Sequence, residues 1–129
     1  MRLLLDTHTV IFAVDDPPKL GPHGAKALED LGNELLLSAG TIWEIGIKVG
    51  LKKLSLSMPY REWMNKAIAD LGITVLPITV EYADAQAGLP FHHRDPFDRL
   101  LAAQARVENV SLVSADAIFD QYGVNRIWQ

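Results

Sequence analysis

The strongest limit on the fold is a set of short, mostly apolar runs: RLLLD at residues 2–6, ELLLS at 34–38, ITVLPI at 73–78 and VSLVS at 110–114. Runs of this length and hydrophobicity read as buried strands. Helical stretches separate them. THTVIFAV (7–14) is stopped by DDPP at 15–18, and GPHGAKALEDLG (21–32) is a second helix. SAGTIWEIGIKVG (38–50) starts on Ser38, a good N-cap, and ends near Gly50. MPYREWMNKAIADLG (58–72) is amphipathic, with Trp63, Ala67 and Leu71 recurring four apart and charges between them. TVEYADAQAGLP (79–90), capped by Thr79, and RDPFDRLLAAQA (94–105) are two further helices. LKKLSLS (51–57) is a turn or a weak extended piece, ADAIFDQYG (115–123) a short helix, and VNRIW (124–128) a last extended segment.

Strands alternating with helices predict an α/β fold, one domain over residues 1–129 with a mostly parallel sheet flanked by helices. A chain of this length buries a sizeable core without staples. The absence of cysteine excludes disulfides and thiolate metal sites. The apolar N-terminus is interrupted by Asp6 and His8, so it resembles neither a signal peptide nor a membrane span, and a cytoplasmic protein is expected. A net charge of −4 argues against nucleic-acid binding by the whole surface, though not by a local basic patch.

Open parallel sheets bind ligands at the carboxyl ends of their strands. Asp6 closes the first strand and Asp116 follows the fourth by a few residues, so both belong on that rim. Either is also explained as a plain N-cap. Glu44 lies mid-helix among Ile42, Trp43, Ile45 and Ile47, where apolar residues cover most of the helix and predict its burial. An ion pair with Lys48 at i+4 is the alternative to a functional role. In RDPFDR, Pro96 suits the first helical position, which makes Asp95 the N-cap and puts Asp98 third, where a capping-box acid sits. Asp98 also shares a face with Leu101 and Ala105, at the edge of the buried stripe.

Asp6, Glu44, Asp98 and Asp116 can thus converge. Like charges about 4 Å apart repel by roughly 4 kcal/mol per pair at an effective dielectric near 20, so such a cluster calls for protons or cations. An all-oxygen donor set suits Mg²⁺ or Mn²⁺, and the matching chemistry is phosphodiester hydrolysis.

The blocks LLLDTHTVIF, SAGTIWEIGIK, HHRDPFDRLLAAQA and LVSADAIFDQYGV, in this order and spanning essentially the whole chain, resemble PIN-domain ribonucleases. More narrowly, they resemble the VapC-type toxins of bacterial toxin–antitoxin pairs. The resemblance implies a PIN-like domain with about five parallel strands, an endoribonuclease dependent on Mg²⁺ or Mn²⁺, a homodimer, and a cognate antitoxin as partner. It assigns Asp6, Glu44, Asp98 and Asp116 to the metal site and leaves Asp95 as the helix cap. At the fourth position Ser114, Asp116 and Asp120 all remain open, and either Ser114 or Asp116 is placed to orient the attacking water. Thr7 is a candidate donor to a ligand carboxylate.

Phosphate contacts need cations. The candidates are Lys48, Lys52 and Lys53 after Glu44, and His92, His93, Arg94 and Arg99 around Asp98, each alternatively a solvated surface group. His8 is a structural histidine or a proton shuttle. DNA as substrate and a non-catalytic binding module are the competing readings. Phosphatases of the aspartyl-nucleophile type want a second Asp two residues after the first, where this chain has His8.

Overall fold

Each apolar run pairs with its neighbours through parallel hydrogen bonding. A computed structural model describes residues 1–129. In chain order, β1 (Arg2–Leu5), α1 (Thr7–Asp15), α2 (Pro22–Glu29), β2 (Glu34–Ser38), α3 (Ala39–Gly50), α4 (Tyr60–Asp70) and β3 (Thr74–Leu76) form the first half. α5 (Val80–Ala87), α6 (Pro96–Glu108), β4 (Ser111–Val113) and β5 (Arg126–Ile127) complete the fold. The strand order is β3-β2-β1-β4-β5, and every pairing is parallel. The sheet is therefore wholly parallel, as its apolar strands require. No helix is long and apolar enough to cross a membrane.

Side chains alternate across the sheet. Leu4, Leu36 and Leu112 point into one core with Leu101, Ala105 and Phe119. Leu3, Leu5, Leu35, Leu37 and Val113 point into the other with Val10, Ile45, Trp63 and Ala67. The chain winds outward from β1 through β2 to β3, then returns to the other side of β1 with β4. That reversal sets the carboxyl ends of β1 and β4 side by side, the place where open α/β sheets bind ligands. Asp6 and Ser114 are the first residues beyond those two strands.

Residues 51–57 begin in a turn and hold no strand, so the turn reading stands over the extended one. Residues Ala117–Tyr122 are a 3-10 helix and not an α-helix, and another 3-10 turn at Pro17–Lys19 carries DDPP onward. The helix carrying Glu44 is not buried all round: Trp43 is 63% exposed and Ile47 37%. These side chains face outward at the periphery, where hydrophobic patterning alone does not distinguish core from uncovered surface.

The C-terminal strand is anchored through a close backbone approach. The Trp128 carbonyl accepts from His23 and Gly24 amides, both at 3.1 Å, at the N-terminus of α2. A Cβ on Gly21 would stand 2.3 Å from that carbonyl oxygen. Gly21→Ala is expected to cost about 1–3 kcal/mol by overpacking. Gly50→Ala, where an added Cβ meets nothing within 4 Å, is expected to be neutral or to gain up to about 1 kcal/mol. Urea titration of both variants checks the pair.

Candidate metal centre

Backbone capping fixes the first acid. Asp6 is the N-cap of α1, and its Oδ1 accepts from the Thr9 amide at 2.8 Å. Oδ2 accepts a short hydrogen bond from Ser114 Oγ. The helix starts at Thr7, directly after its cap. Ser114 is fully buried, and its Oγ accepts in turn from the Asp116 amide at 3.0 Å. Thus one hydroxyl ties the ends of β1 and β4 together.

Glu44 is 4% exposed. Its Oε1 accepts from Thr7 Oγ1 at 2.6 Å and its Oε2 from Lys48 Nζ at 2.6 Å. Both the ion pair with Lys48 and the donation from Thr7 are present. The hydrogen bond to Glu44 raises the Lys48 pKa, against the opposing effect of burial. Lys48 is therefore committed to Glu44 within the chain.

Asp95 caps α6, with Oδ1 accepting from the Phe97 amide at 2.8 Å and from the Asp98 amide at 3.4 Å. Asp98 does not complete a capping box. The Asp95 amide donates to His93 Nδ1 at 3.0 Å, and His93 Nε2 lies 3.1 Å from Asp98 Oδ2. The α6 helix runs against the strands, so its N-terminus comes up at their carboxyl rim. Asp98 has a pKa raised to about 7, first by burial and then by the charges of Asp95, Glu44, Asp6 and Asp116. This carboxyl group is thus held close to neutral-pH titration by burial first and by like charges second.

Asp116 caps the 3-10 helix through Oδ1, which accepts from the Ile118 amide at 3.0 Å, and is otherwise exposed. One ligand atom from each of His93, Asp98 and Asp116 lies within 4.8 Å of the others. Asp120 instead pairs with Arg126, at 3.0 Å to Nε and 3.2 Å to Nη2. Arg126 Nη1 also donates to the Ser114 carbonyl at 3.1 Å.

The suggested substrate cations divide. Arg94, Lys52 and Lys53 are exposed, as are His92 and His8. Arg99 is 5% exposed, and its guanidinium donates to the carbonyls of Pro90 and Gln86 at 2.9 Å and of Leu89 at 3.3 Å. Its donors are spent on tying α5 to α6, which corrects the expectation of a phosphate contact. His93 likewise faces Asp98 and not outward. Tyr122 and Arg126 were not anticipated: Tyr122 Oη accepts from the His93 amide at 2.9 Å. Both lie in the C-terminal segment, and no local pattern marks either as a site residue.

The donor set fits a hard divalent cation. Carboxylate oxygens dominate it, and Asp98, its pKa raised first by burial, also feels the charges of Asp95, Glu44, Asp6 and Asp116. Asp98, Asp116 and His93, whose ligand atoms lie within 4.8 Å of one another, could hold it, with Asp6 and Glu44 near enough to act on the Asp98 charge.

The PIN domain family model matches residues 3–125. Comparison with curated proteins finds no match. Among solved structures, the chain is similar to VapBC2 from Rickettsia felis bound to a promoter DNA fragment. That match has 15% identity and a TM-score of 0.73, and covers 100% of both chains. VapBC-1 from nontypeable Haemophilus influenzae matches at 19% identity and a TM-score of 0.67, covering 98% of this chain and 96% of that one. FitAcB from Neisseria gonorrhoeae matches at 22% and 0.62, covering 96% and 95%. At these identities the likeness is one of fold.

The Asp98 shift carries a stability consequence. Its folded pKa of about 7 lies above the ordinary 3.8, so the folded state binds the proton more tightly. The stabilisation is complete below about pH 4 and is lost as pH rises to about 7. Asp98→Asn is expected to remove this decline, leaving the metal-free variant more stable than its parent near pH 8. Melting temperatures in EDTA from pH 4 to 8 measure the difference.

Proposed function

The chain belongs to the PIN domain family, and from that premise we propose that it is a metal-dependent endoribonuclease acting as the toxin of a toxin–antitoxin pair. The observation that supports the reading is that ligand atoms of Asp98, Asp116 and His93 lie within 4.8 Å of one another, with the Asp98 pKa pushed up to about 7 by burial and by the charges of its neighbours, Asp6 among them. Mg²⁺ or Mn²⁺ bound there would activate water and stabilise the leaving oxygen of a phosphodiester.

The chain's own residues supply the frame. Ser114 and the Thr9 amide hold both oxygens of Asp6 in place. Thr7 and Lys48 do the same for Glu44, which adds negative field from beneath. Asp116 is exposed and accepts at only one oxygen within the chain, so it serves better than buried Ser114 to orient an attacking water. Arg94, Lys52 and Lys53 are the cations free to meet phosphates.

An antitoxin partner is supported by a toxin–antitoxin complex from Klebsiella pneumoniae among the similar structures. It is also supported by an apolar groove of about 350 Å³ that includes Trp43, Ile78, Phe97 and Leu100. Trp43 and Phe97 adjoin the acids Glu44 and Asp98 in sequence and meet edge to face at 5.7 Å. A homodimer is the remaining expectation of the family.

The test is cleavage of RNA and of single-stranded DNA, each with Mg²⁺ or Mn²⁺ and with excess EDTA. RNA cleavage that stops on chelation, while circular dichroism keeps the helical signal, is the expected result. Asp98→Asn should lose orders of magnitude in rate. Asp95→Asn should keep most activity, because Asn caps as well as Asp. Full activity in EDTA, or an active Asp98→Asn, would overturn the assignment.

A further inference from the structure

Phe91 is 82% exposed and stands in the loop that leads into α6, two residues before His93. A single exposed apolar side chain is ordinary on a protein surface. Leu31, fully exposed ahead of β2 at the amino end of the sheet, is one. Phe91 differs in what lies beneath it. The Arg99 guanidinium sits 4.1 Å from its ring centroid. Arg99 is buried, and its Nη1 and Nη2 donate to the carbonyls of Pro90, Gln86 and Leu89. Those bonds lie in the guanidinium plane, so its flat face is left for the ring. Phe91 is thus backed on one side by a fixed cation and open to solvent on the other.

An aromatic ring held with one free face accepts a nucleobase by stacking, whichever base it is. The other parts that a single strand needs are close by. Arg94, three residues on, is an exposed cation for a phosphate. Arg99 directly follows Asp98 on α6, so the acid and the support of the ring occupy adjacent positions of one helix. Phe91 and His93 are separated by one residue, which keeps their Cα atoms within about 7 Å of each other. His92, between them, is engaged edge-on with Tyr122, the ring centroids 5.1 Å apart. Resting on the nuclease reading above, we infer that Phe91 is a stacking platform for an unpaired RNA base beside the phosphodiester that is cut. A duplex keeps its bases stacked on one another, so the platform takes only a single strand. Stacking is blind to base identity, so Phe91 sets the need for an unpaired strand and not the sequence cleaved.

The test is binding of a short fluorescent RNA, alone or annealed to its complement, followed by anisotropy with Ca²⁺ in place of Mg²⁺ to limit turnover. Phe91→Ala should weaken the single strand roughly 5- to 100-fold and leave the duplex unchanged. Phe91→Trp should bind the single strand at least as tightly as the parent. Phe91→Leu, apolar but without a π face, should behave as Phe91→Ala does. Leu31→Ala, exposed and remote, should match the parent. Melting temperatures show which variants are folded, and the Leu and Trp variants carry the comparison by themselves if the Ala variant is unstable. Parental single-strand affinity in Phe91→Leu or a folded Phe91→Ala overturns the platform and leaves the nuclease reading intact. An equal loss on the duplex also overturns it, because a stacked helix offers no free base. Failure of the parent to bind either RNA overturns the nuclease reading as well.

Discussion

A wholly parallel sheet must be covered on both faces, and the rest of this molecule follows from that requirement. Leu3, Leu4 and Leu5 are all fully buried although they alternate between opposite faces. A strand with no solvent face holds polar groups only at its ends. The central position of β1 and the reversal to β4 then select which ends lie open together. The acids stand at the rim because they follow the two strands that flank the reversal, or head helices that begin there.

Once placed, the acids must be kept from relaxing apart. The structure does this with neutral donors and one cation. Asp6 is held by a hydroxyl and an amide, and Glu44 by a hydroxyl and Lys48. These bonds orient the carboxylates while leaving the negative field largely uncompensated. The residual imbalance falls on Asp98, the group whose pKa rises furthest into the neutral range. Buried carboxylates that accept donors but lack full charge balance are poorly stabilising. The helix caps offset part of that cost, because Asp6, Asp95 and Asp116 each cap a helix N-terminus. Capping and site formation thus use the same residues.

Sequence pattern was a good guide wherever a single element decided the outcome. The apolar runs became β1 to β4, Thr79 capped α5, and Asp95 capped α6 with Pro96 behind it. For Glu44 the ion-pair reading is realised: Lys48 takes one oxygen, and the carboxylate is also among the groups that perturb Asp98. The expectation for Arg99 failed because nothing local distinguishes an arginine that spans solvent from one turned inward. Its destination is set by the carbonyls that end α5 and open the loop to α6.

What the sequence by itself determined is the set of elements, their parallel class and the placing of Asp6 and Asp116 at strand ends, because hydrophobic period, Pro and capping residues act within one or a few turns. What only the tertiary structure decided is which side chains share a proton or a charge. Ser114 reaches Asp6 across 108 positions of chain, and Thr7 reaches Glu44 across 37. The His93 backbone is seated on Tyr122, 29 residues on. Such contacts follow from the order in which strands assemble, and strand order leaves no trace in local composition.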